Sequence, residues 1–274
     1  MSWDLIAWSF AVIRKNRQLV LFPIFSAAAA LAGLYLCSRW GHVSIQRVLL
    51  SHRAGVQDYL WLAPAYILVS FAIVFFNCAL AACAHAHFSG AQPTLGYGLR
   101  HAGERLAPIL AWALLSTTVG FILNAIERRA SWAGKLATWI FGFAWGMATY
   151  LVVPVLIAED RGAFGSLRRS AQLARETWGD QIVAELRFGW RALFFFIPCL
   201  VLGGLGANGY PILLPVAAAY FIIAAAVLSA AKGIFEVALY RYAALHETPA
   251  DWSPEIFPGI FQSQNTMRTR ILDI

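Results

Sequence analysis

Few side chains in this sequence could carry chemistry, and they stand in three short stretches. The first, "CAHAH", puts Cys83, His85 and His87 within five residues. On a helix Cys83 and His87 share a face at i,i+4 while His85 points elsewhere. A zinc ion takes three or four ligands with supporting partners, so the set would need His101 or Cys78 as well, and no metal is expected. The second, "GGLGANG", spaces Gly204, Gly206 and Gly209 as a dinucleotide fingerprint would. That fingerprint works only between a strand and a helix, whereas here it joins two apolar stretches, so a tight turn is the expected use. The third is Lys232 with Glu236, four apart and therefore on one helix face. They read as an ion pair at the boundary of the last apolar stretch, with a charged mouth to a pathway as the other reading. With no nucleophile elbow, no His-Glu-x-x-His and no paired intramembrane carboxylates, enzyme is the least expected class and no cofactor is predicted.

The elements that hold these residues are set by composition. The 274 residues are 60% hydrophobic and 13% charged, and mean hydropathy is +0.64. A soluble domain carries about 25% charged residues, so a soluble fold could not cover this much apolar surface. Runs long enough to cross roughly 30 Å of hydrocarbon predict six transmembrane helices near 18–37, 59–83, 106–126, 136–157, 181–207 and 210–231. The fold class is thus an all-α, polytopic transmembrane bundle, one domain over 1–246 followed by a Pro- and aromatic-rich cytoplasmic tail, 247–274. The start, "MSWDLIAWSFAVIRKNRQ", places its basic cluster after a short apolar stretch, and no cleaved leader is expected. The four cysteines, Cys37, Cys78, Cys83 and Cys199, fall in or at the ends of spans and read as small buried hydrophobes.

Charge bias gives the orientation. With the N-terminus in the cytoplasm, the inner segments hold fifteen of the 21 Lys and Arg residues, and the outer loops hold Arg39, Arg47, Arg53, Arg128, Arg129 and Lys135. The positive-inside rule then places both termini in the cytoplasm, in the inner membrane of a prokaryote. The net charge of +7 is spread along this boundary, which fits anionic lipid headgroups and does not fit nucleic acid.

The most charged stretch, "EDRGAFGSLRRSAQLARETWGDQ", reads as an amphipathic helix in the interface. Phe164, Leu167, Ala171, Ala174 and Trp178 fall on one arc, bordered by Arg161, Arg168 and Arg175. Similar stretches precede the first and third spans. The chain therefore divides into three units, near 1–87, 88–157 and 158–246, each a cytoplasmic interfacial helix followed by a hairpin of spans.

The segment "ATYLVVPVLIAEDRGAFGSLRRSAQLARETWGD" is a span ending in Val-Pro, an acidic turn and a Ser-containing basic helix. It resembles an uncharacterised family of prokaryotic six-span membrane proteins, a domain of unknown function, over Met1 to about His246. More distantly it is similar to the membrane domain that accompanies some glycerophosphodiester phosphodiesterases. The resemblance implies architecture and carries no catalytic residue, and no soluble catalytic domain is expected.

Within the spans, Gly142 and Gly146 form a small-xxx-small face for helix packing. Pro23, Pro64, Pro154, Pro198 and Pro215 predict kinks or breaks whose freed backbone groups need partners. Asn77, Thr117, Thr118, Asn124 and Thr149 are the polar side chains placed to line a cavity. Two functions fit: a non-enzymatic structural or accessory component of a membrane assembly, meeting lipids, copies of itself or another membrane protein, or a channel or carrier for a neutral or lipid-like solute.

Overall fold

The computed structural model describes residues 4–40, 56–129, 131–176 and 195–247. Every regular element among them is helical. A short helix α1 (Asp4–Lys15) ends in Arg14 and Lys15, whose charges oppose the dipole at its C-terminus. A 3-10 turn, Arg17–Val20, leads into α2 (Leu21–Trp40), and α3 (Val56–Phe88) follows. The short α4 (Leu95–Glu104) starts at Thr94, an extended N-cap whose hydroxyl accepts from Tyr97 N–H at 3.2 Å. After it come α5 (Leu106–Arg129), α6 (Trp132–Thr149) and α7 (Val152–Ala158). A third short helix, α8 (Ala163–Glu176), is followed by α9 (Phe195–Ala207) and the long α10 (Leu213–Leu245). Short helix and then long apolar helices thus recur three times along the described chain.

Among the described residues, five stretches are long and apolar enough to cross a membrane: Arg17–Leu36, Tyr66–Phe88, Leu106–Glu127, Gly134–Ala158 and Leu213–Leu245. The expected span over 181–207 is described only from 195, as the shorter apolar helix α9. The last helix does not stop near Ala231. It runs on to Leu245, because Ile234, Val237, Ala238 and Leu239 continue the apolar pattern and are buried. Lys232 and Glu236 accordingly lie inside a continuous apolar helix.

The prolines mostly start helices. Pro23, Pro108, Pro154 and Pro215 each occupy the third position of α2, α5, α7 and α10, in a first turn where the missing N–H has no helical acceptor to lose. Pro64 is the interior case, within α3. Pro154 also marks the break between α6 and α7, since its ring would meet the carbonyl of residue 150 in a continuous helix. Backbone groups freed there are taken up by Ser170 of α8, which accepts from Leu151 N–H at 3.1 Å and donates to the Ala148 carbonyl at 2.7 Å. Gly209, at φ +125°, makes the turn between α9 and α10.

Burial is concentrated at one end of the bundle. Val12, Leu19 and Phe22 meet the α3 run from Cys78 to Ala84, together with Ala102, Ile109, Val152, Leu156, Ala230 and Ile234. An adjoining cluster joins Leu151, Val155 and Leu173 to Phe235 and Leu239. The three short helices dock here with small residues: Ser9 of α1, Gly98 and Ala102 of α4, Ser166 and Ser170 of α8 are all buried. A Cβ on Gly98 would stand 2.6 Å from both the Ala79 carbonyl and Cys83 Sγ, so only glycine allows this approach. The other halves of the long helices expose their apolar side chains, as Leu31, Trp139 and Ile222 do.

Candidate functional site

The charged residues of α10 lead to the site. Lys232 and Glu236 line a cavity of about 210 Å³ with Ser229 and Gly233 of the same helix, Asn77 and Ala81 of α3, and Val153 and Pro154 of α7. Three sequence features bring these walls together. A Cβ on Gly233 would meet Leu80 Cδ2 at 2.7 Å, so glycine is what lets α10 approach α3. Pro154 begins α7 after the break, and α3 is a continuous helix through Asn77. Lys232 Nζ also stands 5.7 Å from the centroid of the Tyr150 ring, within cation–π range. An ammonium, a carboxylate, an amide and a hydroxyl therefore face one small space, able to meet a solute bearing both charge signs.

A polar edge closes this end of the bundle. Asn16 and His87 Nδ1 are hydrogen-bonded at 3.0 Å. Glu159 is the hub of a second group: it receives Arg161 Nε at 2.5 Å, Arg169 Nε at 3.2 Å and the Tyr240 hydroxyl at 3.2 Å. Beside it Arg105 pairs with Asp160. Arg241 is only 8% exposed and reaches Ser89 Oγ at 2.9 Å and Glu247 at 2.5 Å. Paired, charge-assisted contacts of this kind are what make a nearly buried guanidinium tolerable. Along α3, Asn77 and Ala81 lie six to ten residues from His87, so the cavity sits about 9–15 Å from this edge at 1.5 Å per residue.

The predicted cavity residues separate. Asn77 lines the charged cavity, whereas Thr117 lines another, of about 280 Å³, with Tyr66, Ser70 and Ser116. Thr118 and Thr149 donate to carbonyls of their own helices, Leu114 and Trp145, each at 2.8 Å. Asn124 is exposed. Gly142 and Gly146 face open space, where a Cβ would meet nothing within 4 Å, while Gly98 and Gly233 hold the close approaches.

The basic helix packs on the bundle through its small and hydroxyl-bearing residues. Ala163, Ser166, Ser170, Leu173 and Ala174 of α8 face the bundle and Leu167 is half-buried against the core, while Phe164 is 73% exposed. The Ser170 bonds to the α6–α7 break bring the hydroxyl face inward. At 100° per residue this leaves Arg168 and Arg175 opposite the buried face, with Phe164 beside them, while Arg161 precedes the helix and is held by Glu159. Trp178 and the tail beyond Glu247 lie outside the described residues.

Cys83 Sγ meets the Thr94 carbonyl at 3.4 Å, His87 is taken by Asn16, and among the described residues no three His, Cys, Asp or Glu gather as a metal would require. Glu159, Tyr240, Arg241 and Ser170 escape a reading by motif because their partners lie far along the chain. The acidic pair "ED" closing an apolar stretch, and the i,i+4 serines of α8, were the available signals.

These features define a protein whose described residues are helical in every regular element, with five stretches among them suited to lipid and a charged cavity beside the packed end. Residues 56–249 match DUF6159, a family of unknown function, and the chain belongs to that family. The match begins later than the resemblance from Met1 suggested. No curated protein and no solved structure matches the chain.

Proposed function

We propose that the chain crosses a prokaryotic inner membrane six times, with both termini in the cytoplasm, and serves there as a non-enzymatic structural or accessory component. The sixth crossing would be α9 extended toward residue 181. The observation that carries this reading is the uneven packing. One end is closed by small residues and short helices, while the far halves of the long helices leave large apolar side chains exposed, a surface suited to lipid tails and partner helices. The charge bias puts the packed end in the cytoplasm, with α1, α4 and α8 at its face and Arg161, Arg168, Arg175 and Phe164 directed to anionic headgroups.

Reporter fusions after Glu247 and within 41–55 test the topology. A cytoplasmic signal at the first and an external one at the second are expected, and the reverse would overturn the orientation. Crosslinking in native membranes followed by mass measurement tests the accessory role, with a copy of the chain or another membrane protein as the expected product. A chain that crosslinks to nothing would remove that role.

A second reading, a carrier for a neutral or lipid-like solute, is favoured by the Lys232–Glu236 cavity, because ionisable groups inside a membrane bundle are rare and associated with function. Flux through liposomes holding the purified protein separates the two: selective permeation replaces the accessory reading with the carrier.

A further inference from the structure

We propose that the cavity between α3, α7 and α10 holds a head group in which a primary ammonium is linked to a phosphate, as in an aminophospholipid. The inference rests on the membrane placement above and not on either role given to the protein there.

The order of the groups is the argument. Lys232 and Glu236 are one turn apart, about 6 Å along α10 at 1.5 Å per residue, with Glu236 nearer the polar edge marked by Arg241 and Ser89. On the other side of Lys232, toward the far end of the bundle, Ser229 is exposed at the cavity rim and Ile222, two turns further along the same face, is 56% exposed. Moving along α10 toward the polar edge, a ligand therefore meets the exposed Ile222, then Lys232 beside the Asn77 amide, then the Glu236 carboxylate. An inner-leaflet aminophospholipid presents its groups in the matching sequence: acyl chains, phosphate, ammonium.

Size and charge narrow the class. A cavity of about 210 Å³, lined mainly by polar and small side chains, suits a small head group. An anionic lipid without an amine would bring Lys232 a phosphate but offer Glu236 no cation. A choline head would bring a cation that cannot donate a hydrogen bond to that carboxylate. In the bound state the phosphate joins Lys232 and Asn77, and the ammonium donates to Glu236.

The test uses the full chain in detergent, with phosphatidylethanolamine, phosphatidylcholine and phosphatidylglycerol of identical acyl chains compared by native mass measurement. The ethanolamine lipid should be retained roughly tenfold or more over the other two, the scale of one charge-assisted contact, and Glu236→Gln should erase the margin over choline. The reversed pair, Lys232→Glu with Glu236→Lys, keeps an i,i+4 pair but inverts the order, so melting should hold near the wild-type value while ethanolamine retention falls to the choline level. A soluble arm with glycerophosphoethanolamine fixes the source of the head group. Competition only at far higher concentration assigns it to the membrane, and equal potency assigns it to a free molecule in the same cavity. Equal retention of all three lipids with no soluble binding, or an ethanolamine preference untouched by the reversed pair, would overturn the proposal. Since none of these results bears on topology, failure here leaves the membrane reading standing.

Discussion

The Ser170 hydroxyl lies 3.1 Å from the backbone nitrogen of Leu151 and 2.7 Å from the carbonyl of Ala148, so one side chain of α8 serves both sides of the break between α6 and α7. Ser170 is fully buried. Ser170→Ala should therefore destabilise the protein by about 1–3 kcal/mol, the scale of leaving buried backbone groups unsatisfied. Ser166, one turn earlier, is equally buried but its hydroxyl has no hydrogen-bond partner. Ser166→Ala should be neutral or slightly stabilising. Thermal unfolding of the two variants in one detergent measures the contrast, and equal melting temperatures would remove the role assigned to Ser170.

Gly98 gives a second prediction. A methyl group there would press on the Ala79 carbonyl, Cys83 Sγ and Phe22 Cζ at 2.6, 2.6 and 2.9 Å. Backbone cannot swing aside as a long side chain can, so Gly98→Ala should destabilise by about 1–3 kcal/mol as α4 is pushed off α3. Gly142→Ala and Gly146→Ala meet open space and should gain up to about 1 kcal/mol from helix propensity. If the Gly142 variant is destabilised instead, that face is packed against a second chain, and crosslinking through it would show the contact.

Much of the architecture was legible because lipid imposes a strong and simple pattern. Long uncharged runs, turn glycines and basic flanks located four of the apolar helices closely, and Gly209 makes the turn expected of it. The uncharged run 210–231 belongs to a helix that continues to Leu245, and periodicity alone does not reveal that α3 and α7 enclose Lys232. The bundle-facing side of α8 was hard to read for a related reason. Hydrophobic periodicity weights Phe164 and ignores hydroxyls, yet the backbone groups freed at Pro154 draw Ser170 inward. The predicted cavity residues do not share one space: Asn77 lines a cavity with Lys232 and Glu236 and Thr117 lines another with Ser70, distances in sequence that no local pattern spans.

Glu159 anchors the turn between α7 and α8. With 18% of its side chain exposed it accepts from Arg161, Arg169 and Tyr240. Glu159→Gln leaves two guanidinium groups without their carboxylate and should destabilise by about 1.5–3 kcal/mol, the range of hydrogen bonds to charged groups. Tyr240→Phe removes one contact of the three, for about 0.5–1.5 kcal/mol. The local readout is protease cleavage between Asp160 and Gly162, which should speed up in the Glu159 variant well before global unfolding. Cleavage at the wild-type rate would show that α7 and α8 are held by their apolar contacts alone.

The arginines of α8 should contribute unequally to anionic-lipid contact. Arg161 is held by Glu159, whereas Arg168 and Arg175 are exposed on the face turned from the bundle. A basic residue near an anionic surface is worth about 1 kcal/mol, a factor of roughly five in affinity. Arg168→Gln and Arg175→Gln should each lower phosphatidylglycerol retention by about that factor at low salt, and Arg161→Gln by much less, because Glu159 already neutralises it. Raising ionic strength toward 1 M shortens the screening length to about 3 Å and should level the wild type with the variants. A loss that persists in high salt, or an equal loss at all three positions, would mean that these arginines act through the fold, and α8 would then be a cytoplasmic brace with no part in lipid contact.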